Sequence, residues 1–228
     1  MMTPLPPELG SKLRNPIGAI AESFVFLKDK PILLSNFVVD VNGQIFGLPK
    51  ALFPALATNV FRNGAAGLGL LYAAPGVGAL LGAFLTGWIG RVRRQGRCVV
   101  ILVAIWGIAI AIFGLSTRIF WLALLMLAIA GAADMFSAVM RNTILQLVIP
   151  DRLRGRLSSV SMMTTTGGPR LGDAEAGIVA TLTSTEFSIV SGGILTVLGC
   201  VVAALTIPVY WKWDAKEAIQ YEAEAPAN

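Results

Sequence analysis

Three sets of polar residues interrupt stretches that are otherwise apolar. Asn36, Asp40 and Gln44 recur at i, i+4 and i+8, which places all three on one face of a helix. Asp134, Ser137 and Arg141 fall at i, i+3 and i+7, again a single face. Arg170, Asp173 and Glu175 follow directly on Gly167-Gly168-Pro169. A charge inside an apolar span costs roughly 3 kcal/mol, so it faces a partner or a water-filled cavity. A carboxyl group in such a place can take up and release a proton, which makes Asp40 and Asp134 candidate proton carriers. Asn36, Asp40, Gln44 and Asp134 are expected to face a central cavity. For Asn36 and Gln44, bonding to neighbouring helices stays open as the alternative. Arg141 stands close enough to the end of its span to reach water, and Arg170 and Asp173 are spaced to pair with each other.

The composition fixes the solvent these residues live in. Of 228 residues, 55% are hydrophobic and 14% charged, with a mean hydropathy of +0.73. That is too apolar for an ordinary water-soluble domain, and the apolar residues come in blocks of about 20 or more, long enough to span a bilayer. There is no histidine, which removes Ser-His and Cys-His nucleophilic chemistry and histidine metal sites. Serine–lysine chemistry would need a serine at helical spacing from Lys50, and none stands there. No G-x-x-x-x-G-K-[ST] motif is present. An enzyme is not expected, nor a metal or another cofactor. Cys98 and Cys200 read as small buried hydrophobes rather than a disulfide.

Six spans are predicted, at about 31–56, 65–89, 98–115, 119–147, 157–182 and 187–211. In the first, Gly43 and Gly47 would let another backbone approach, and Pro49 and Pro54 mark a kink and the outer end. In the second, Gly78 and Gly82 form a small-xxx-small pair and Pro75 predicts a kink. The third is uniformly apolar, including Trp106, and carries no candidate site. Trp121 is an interface anchor for the fourth. The fourth and fifth are joined by a loop, Ile149 to Arg156, and the fifth is predicted to break at Gly167-Gly168-Pro169, the best hinge candidate. Residues 1–30 form a separate segment, with Ile17, Ile20, Ala21, Phe24 and Leu27 at the spacing of an amphipathic helix lying on the inner membrane surface. No leader is visible, since the first apolar block starts near Pro31. Residues 31–213 are the membrane domain and 214–228 an acidic tail.

The basic residues settle orientation. Lys12, Arg14, Lys28 and Lys30, then Arg91, Arg93, Arg94 and Arg97, then Arg152, Arg154 and Arg156, then Lys212 and Lys216 all fall on one side. The other loops hold Arg62 and Arg118. The positive-inside rule puts both termini in the cytoplasm and the chain in the cell membrane. The net charge of +5 is thereby a matter of topology, with no nucleic acid implied.

This all-α membrane layout, six spans running inside to inside, resembles the C-terminal half of a twelve-helix major facilitator superfamily transporter. Gly87-Trp88-Ile89-Gly90-Arg91-Val92-Arg93-Arg94 looks like that superfamily's G-x-x-D-R-x-G-R-R loop, with Gly90 in place of the aspartate and Arg93 in place of the second glycine. A sharper likeness runs from Arg141-Asn142-Thr143-Ile144-Leu145-Gln146 through Pro150-Asp151-Arg152-Leu153-Arg154-Gly155-Arg156 to Leu171-Gly172-Asp173-Ala174-Glu175-Ala176-Gly177. It is similar to the enterobactin-exporter-like branch, as are the amphipathic stretch Ala19 to Pro31 and the Phe-Gly-x-Pro-x-x-Leu-x-Pro pattern from Phe46 to Pro54. The resemblance covers about residues 16–213. It implies gradient-driven export of a small hydrophobic or amphipathic molecule, such as a siderophore or drug. It also implies that Arg91, Arg93, Arg94, Arg152, Arg154 and Arg156 belong to cytoplasmic gate loops. Members of this superfamily place the substrate between two six-helix halves, and this chain carries one. The expected partners are therefore lipid, a small-molecule substrate, and a second six-helix half or a second copy. The alternative is a non-transporting membrane protein, either a truncated remnant or a docking subunit.

Overall fold

The computed structural model describes residues 31–87, 92–116, 118–149 and 151–214. The predicted amphipathic helix at 16–30, Arg91 and the tail beyond Asp214 lie outside the described residues. The described residues are helical, with no strand among them. Six long helices follow in order: α1 (Pro31–Phe46), α2 (Gly64–Phe84), α3 (Gln95–Leu115), α4 (Phe120–Val148), α5 (Asp151–Leu182) and α6 (Thr185–Thr206), with a short α7 (Pro208–Lys212) after them. Four of these, α2, α3, α4 and α6, are long and apolar enough to cross a membrane. The two exceptions differ in kind. At 16 residues, α1 is short, and α5, at 32 residues, is long but carries polar residues throughout.

Several boundaries differ from those expected, each for a local reason. The first helix ends at Phe46 rather than near Leu56. At Gly47 an added Cβ would collide with the Gly43 carbonyl and the Trp106 ring, and Pro49 cannot donate to a continuing helix. The chain then winds through a 3-10 turn at Lys50–Leu52, an α-turn at Phe53–Ala55 and a π-turn at Leu56–Val60. The expected loop from Ile149 to Arg156 is mostly helix, since α5 starts at Asp151, an acidic residue type suited to a helix N-terminus. The sixth span is two helices. Before Pro208, Ile207 leaves the helical region (φ −127°, ψ 73°), and α7 starts anew.

The fifth helix is not broken. It runs through Gly167, Gly168 and Pro169 without interruption, and α2 likewise runs through Pro75. Two glycines of α5, Gly168 and Gly172, serve contact instead. A Cβ on Gly168 would meet the Gln44 side chain at 2.8 Å, and one on Gly172 would enter the Ile45 carbonyl, so α5 lies backbone-close against α1.

The core centres on α3, which packs between α4 and α6, while α2 packs on the outer side of α4 and α1 bridges α5 and α6. Trp106 is buried beneath Gly43 and Gly47, so a ring, not a backbone, fills the gap those glycines leave. The α2–α4 crossing is the closest: Gly78 abuts the Ala128 carbonyl and Gly131 the Pro75 carbonyl. Between α1 and α6 the stitch is polar. Asn42 donates from Nδ2 to the Thr196 carbonyl at 2.8 Å. Between α6 and α5, Ser188 donates to the Ala176 carbonyl at 2.9 Å.

Candidate functional site

Helices α1 and α4 bring their polar faces together against α5. Asn36, Asp40 and Gln44 from α1, Asp134, Arg141 and Asn142 from α4, and Ser161 and Thr165 from α5 line one cavity of about 180 Å³, with Phe37, Ala138 and Leu145 as its apolar wall. It brings together Asn36, Asp40, Gln44 and Asp134. A second cavity of about 250 Å³ shares Asn142, Leu145 and Ser161 with it. This one runs on between α4 and α5 past Gln146 and Ser158 toward the α4–α5 junction, the end of the bundle where Arg93, Arg94 and Arg97 also lie.

At the heart of the first cavity stands Arg141, which does not reach out to water but is 5% exposed. Its Nη1 lies 2.7 Å from Asp40 Oδ1, and its Nη2 donates to Asp134 Oδ1 over 3.4 Å. The Asp40 contact is a close ion pair without an aligned N–H, so its attraction is coulombic more than directional. Gln44 Nε2 donates to the same Asp40 oxygen at 3.5 Å. One guanidinium thus stands between carboxylates from two helices. Taking three charges out of water is costly, and only their mutual attraction offsets it. The Asp134 side chain keeps 40% of its surface open, against 14% for Asp40, so Asp134 is the accessible member of the set. Ser137, on the same face by spacing, is fully buried, its hydroxyl has no partner among the described residues, and it does not line the cavity.

The third polar set lies elsewhere. Arg170, Asp173 and Glu175 are not among the residues lining this cavity. Asp173 Oδ1 accepts from the Ala51 backbone N–H at 3.0 Å, so it holds the Lys50–Leu52 turn rather than pairing with Arg170. Arg170 is exposed and makes no ion pair among the described residues. Glu175 is half-buried. At the arginine-rich end, Arg93 pairs with Asp214 (3.5 Å) and Arg94 is exposed. Arg152, Arg154 and Arg156 fall on the first turns of α5, and their side chains lie outside the described residues.

Two functional neighbours escape a sequence reading. Tyr210 is fully buried and donates its phenolic hydrogen to Asn36 Oδ1 at 3.0 Å, across a sequence separation that no periodicity reports. Asn142 joins the cavity wall from the position after Arg141, where the strict i, i+3, i+7 spacing does not point. Among the described residues no group of three or more histidine, cysteine, aspartate or glutamate side chains is placed to hold a metal ion.

Comparison with known proteins follows the same lines. The chain is 28% identical over 84% of its length to the enterobactin exporter EntS of Citrobacter koseri. It is 29% identical over 86% of its length to the proteins of the same name from Salmonella typhi and Shigella flexneri. The chain spans about half the length of these curated relatives, 46%, 46% and 45% respectively. No solved structure matches it significantly. With its apolar helices, this makes the chain a multi-pass membrane protein. Residues 32–226 match the transmembrane secretion effector model across most of the chain, and the chain belongs to that family of the major facilitator superfamily.

Proposed function

We propose that this chain forms one wall of an export pathway for a small hydrophobic or amphipathic molecule, a siderophore or a drug. In this reading all six long helices cross the cell membrane, with both termini cytoplasmic. A second six-helix unit, in the same polypeptide, in another chain or in a second copy, supplies the facing wall. The observation that carries it is the Arg141 cluster: a buried guanidinium between Asp40 and Asp134 in the wall of a polar cavity within an apolar bundle. Such a cluster is expensive at membrane depth and serves a path for polar or charged species. The relatives named as enterobactin exporters supply the direction and the substrate class.

Asp40 and Asp134 are the proton-exchanging groups in this reading, and Arg141 is released from one or the other when its partner is neutralised. The segment Gly167-Gly168-Pro169 is the flexure of α5, because a proline leaves the carbonyl one turn before it without its helical donor. Arg170, Asp173 and Glu175 belong to the opposite end of the path. The basic residues at 91–94 and 152–156 form its cytoplasmic gate.

Efflux of enterobactin and of the dye Hoechst 33342 from cells producing the protein is the test. Asp40→Asn and Asp134→Asn each mimic the protonated carboxyl. Each is expected to lower the proton-driven efflux rate at least tenfold while the protein still reaches the membrane. Full efflux in both variants would remove the proton-carrier role.

A further inference from the structure

The segment after α6 is bound to the bundle at four points. Gly96, in the first turn of α3, packs so closely on the Tyr210 backbone carbonyl that a Cβ there has no room. The Arg97 guanidinium lies 5.1 Å from the Trp211 ring centroid, within cation–π range. Arg93 pairs with Asp214 at 3.5 Å. Between these contacts Tyr210 turns inward, fully buried, and its hydroxyl ends on Asn36 Oδ1. Asn36 stands one turn before Asp40 on the same face and lines the same cavity.

This bond decides what Asn36 presents. A carboxamide has one acceptor oxygen and two donor hydrogens on nitrogen. With Oδ1 engaged by Tyr210, the Nδ2 hydrogens are left with no partner among the described residues. A phenylalanine at 210 would leave Oδ1 unpaired and the amide free to flip, so that the wall would offer donor and acceptor indiscriminately.

We infer that Tyr210 is a positioning residue of the cavity: it fixes Asn36 so that the wall offers a hydrogen-bond donor to an acceptor group on the transported molecule. The inference rests on the export reading of that cavity. It also gives the segment Pro208–Asp214 a role beyond closing the fold. By seating Tyr210, the Arg93–Asp214 and Arg97–Trp211 contacts link the arginines at the start of α3 to the stripe of α1 that lines the cavity.

The test is a double-mutant cycle on efflux kinetics with Tyr210→Phe, Asn36→Ala and the double variant, using enterobactin and Hoechst 33342 as probes. Loss of one neutral hydrogen bond to substrate predicts a KM about 3- to 10-fold higher in Tyr210→Phe, with Vmax close to wild type. In the Asn36→Ala background the same change should have no further effect, because no amide is left to orient. A role in folding alone would instead lower the amount of protein and Vmax together, and in both backgrounds. If the wild type exports a probe but the KM is unmoved by Tyr210→Phe, or raised equally in both backgrounds, the positioning role is overturned and the export reading stands. A wild type that exports neither probe overturns the export reading and this inference with it.

Discussion

Arg141 is a buried charge held between two carboxylates. Its nearest carboxylate comes from α1 at 2.7 Å, and a second comes from its own helix at 3.4 Å. Removing one member of a buried ion pair leaves an uncompensated charge, at a cost of about 3–5 kcal/mol, whereas removing both is far milder. Arg141→Met should therefore lower the thermal unfolding midpoint in detergent sharply, and Arg141→Met with Asp40→Asn should recover most of the loss. If the double variant is no more stable than the single one, the pair is not what holds α1 to α4. The residues of this cluster were legible from their cost in apolar surroundings, but the pairing was not. The i, i+7 spacing on α4 suggested Asp134 as a neighbour and the helix end suggested water, whereas Asp40 lies a hundred positions away in the chain. Tyr210 was hidden for the same reason, and because its ring looks like one more apolar residue at the end of a span.

At the scale of elements, helix identity followed from apolar blocks, while helix ends followed from single residues. The position after α1 has to be glycine because the Trp106 ring and the Gly43 carbonyl occupy the space a side chain would need, a fact about α3 that the local sequence does not contain. Gly168 and Pro169 suggested a break in α5, but the helix runs on, with α1 lying against it at Gly168 and Gly172. The Gly78–Gly82 spacing did announce a close crossing, and its counterpart on α4 is Gly131. Because an added Cβ at Gly131 would enter the Pro75 backbone, no side chain can move aside to admit it. Gly131→Val is expected to cost about 1–3 kcal/mol or more and to reduce the yield of monodisperse protein in size-exclusion chromatography. Gly69, on α2 with open space around it, is the control: Gly69→Val should fold as the wild type does. Equal yields from the two variants would mean that the α2–α4 contact is looser than drawn.

Taken whole, the bundle divides its helices by solvent. The four helices apolar enough to cross a membrane by composition are α2, α3, α4 and α6. Exposed Leu80, Leu81 and Phe84 on α2, and Leu198, Val202 and Leu205 on α6, suit a lipid-facing surface. The two that fall short, α1 and α5, pack against each other and share the polar cavity lining with one face of α4. A helix that faces a water-filled path can be shorter or more polar than one that faces lipid on all sides. Apolar blocks and loop charges pointed to six spans, and length and composition support four among the described helices. The charge distribution makes the topology testable without any substrate. In a variant whose Cys98 and Cys200 are replaced by alanine, a single cysteine at Arg94 should be shielded from a membrane-impermeant maleimide in intact cells and labelled after permeabilisation. One at Asn63, at the opposite end of α2, should be labelled in intact cells. The reverse pattern would invert the bundle in the membrane. Labelling of both in intact cells would mean that the span between them, residues 64–94, does not cross. In either case the arginines around α3 could not form a cytoplasmic gate.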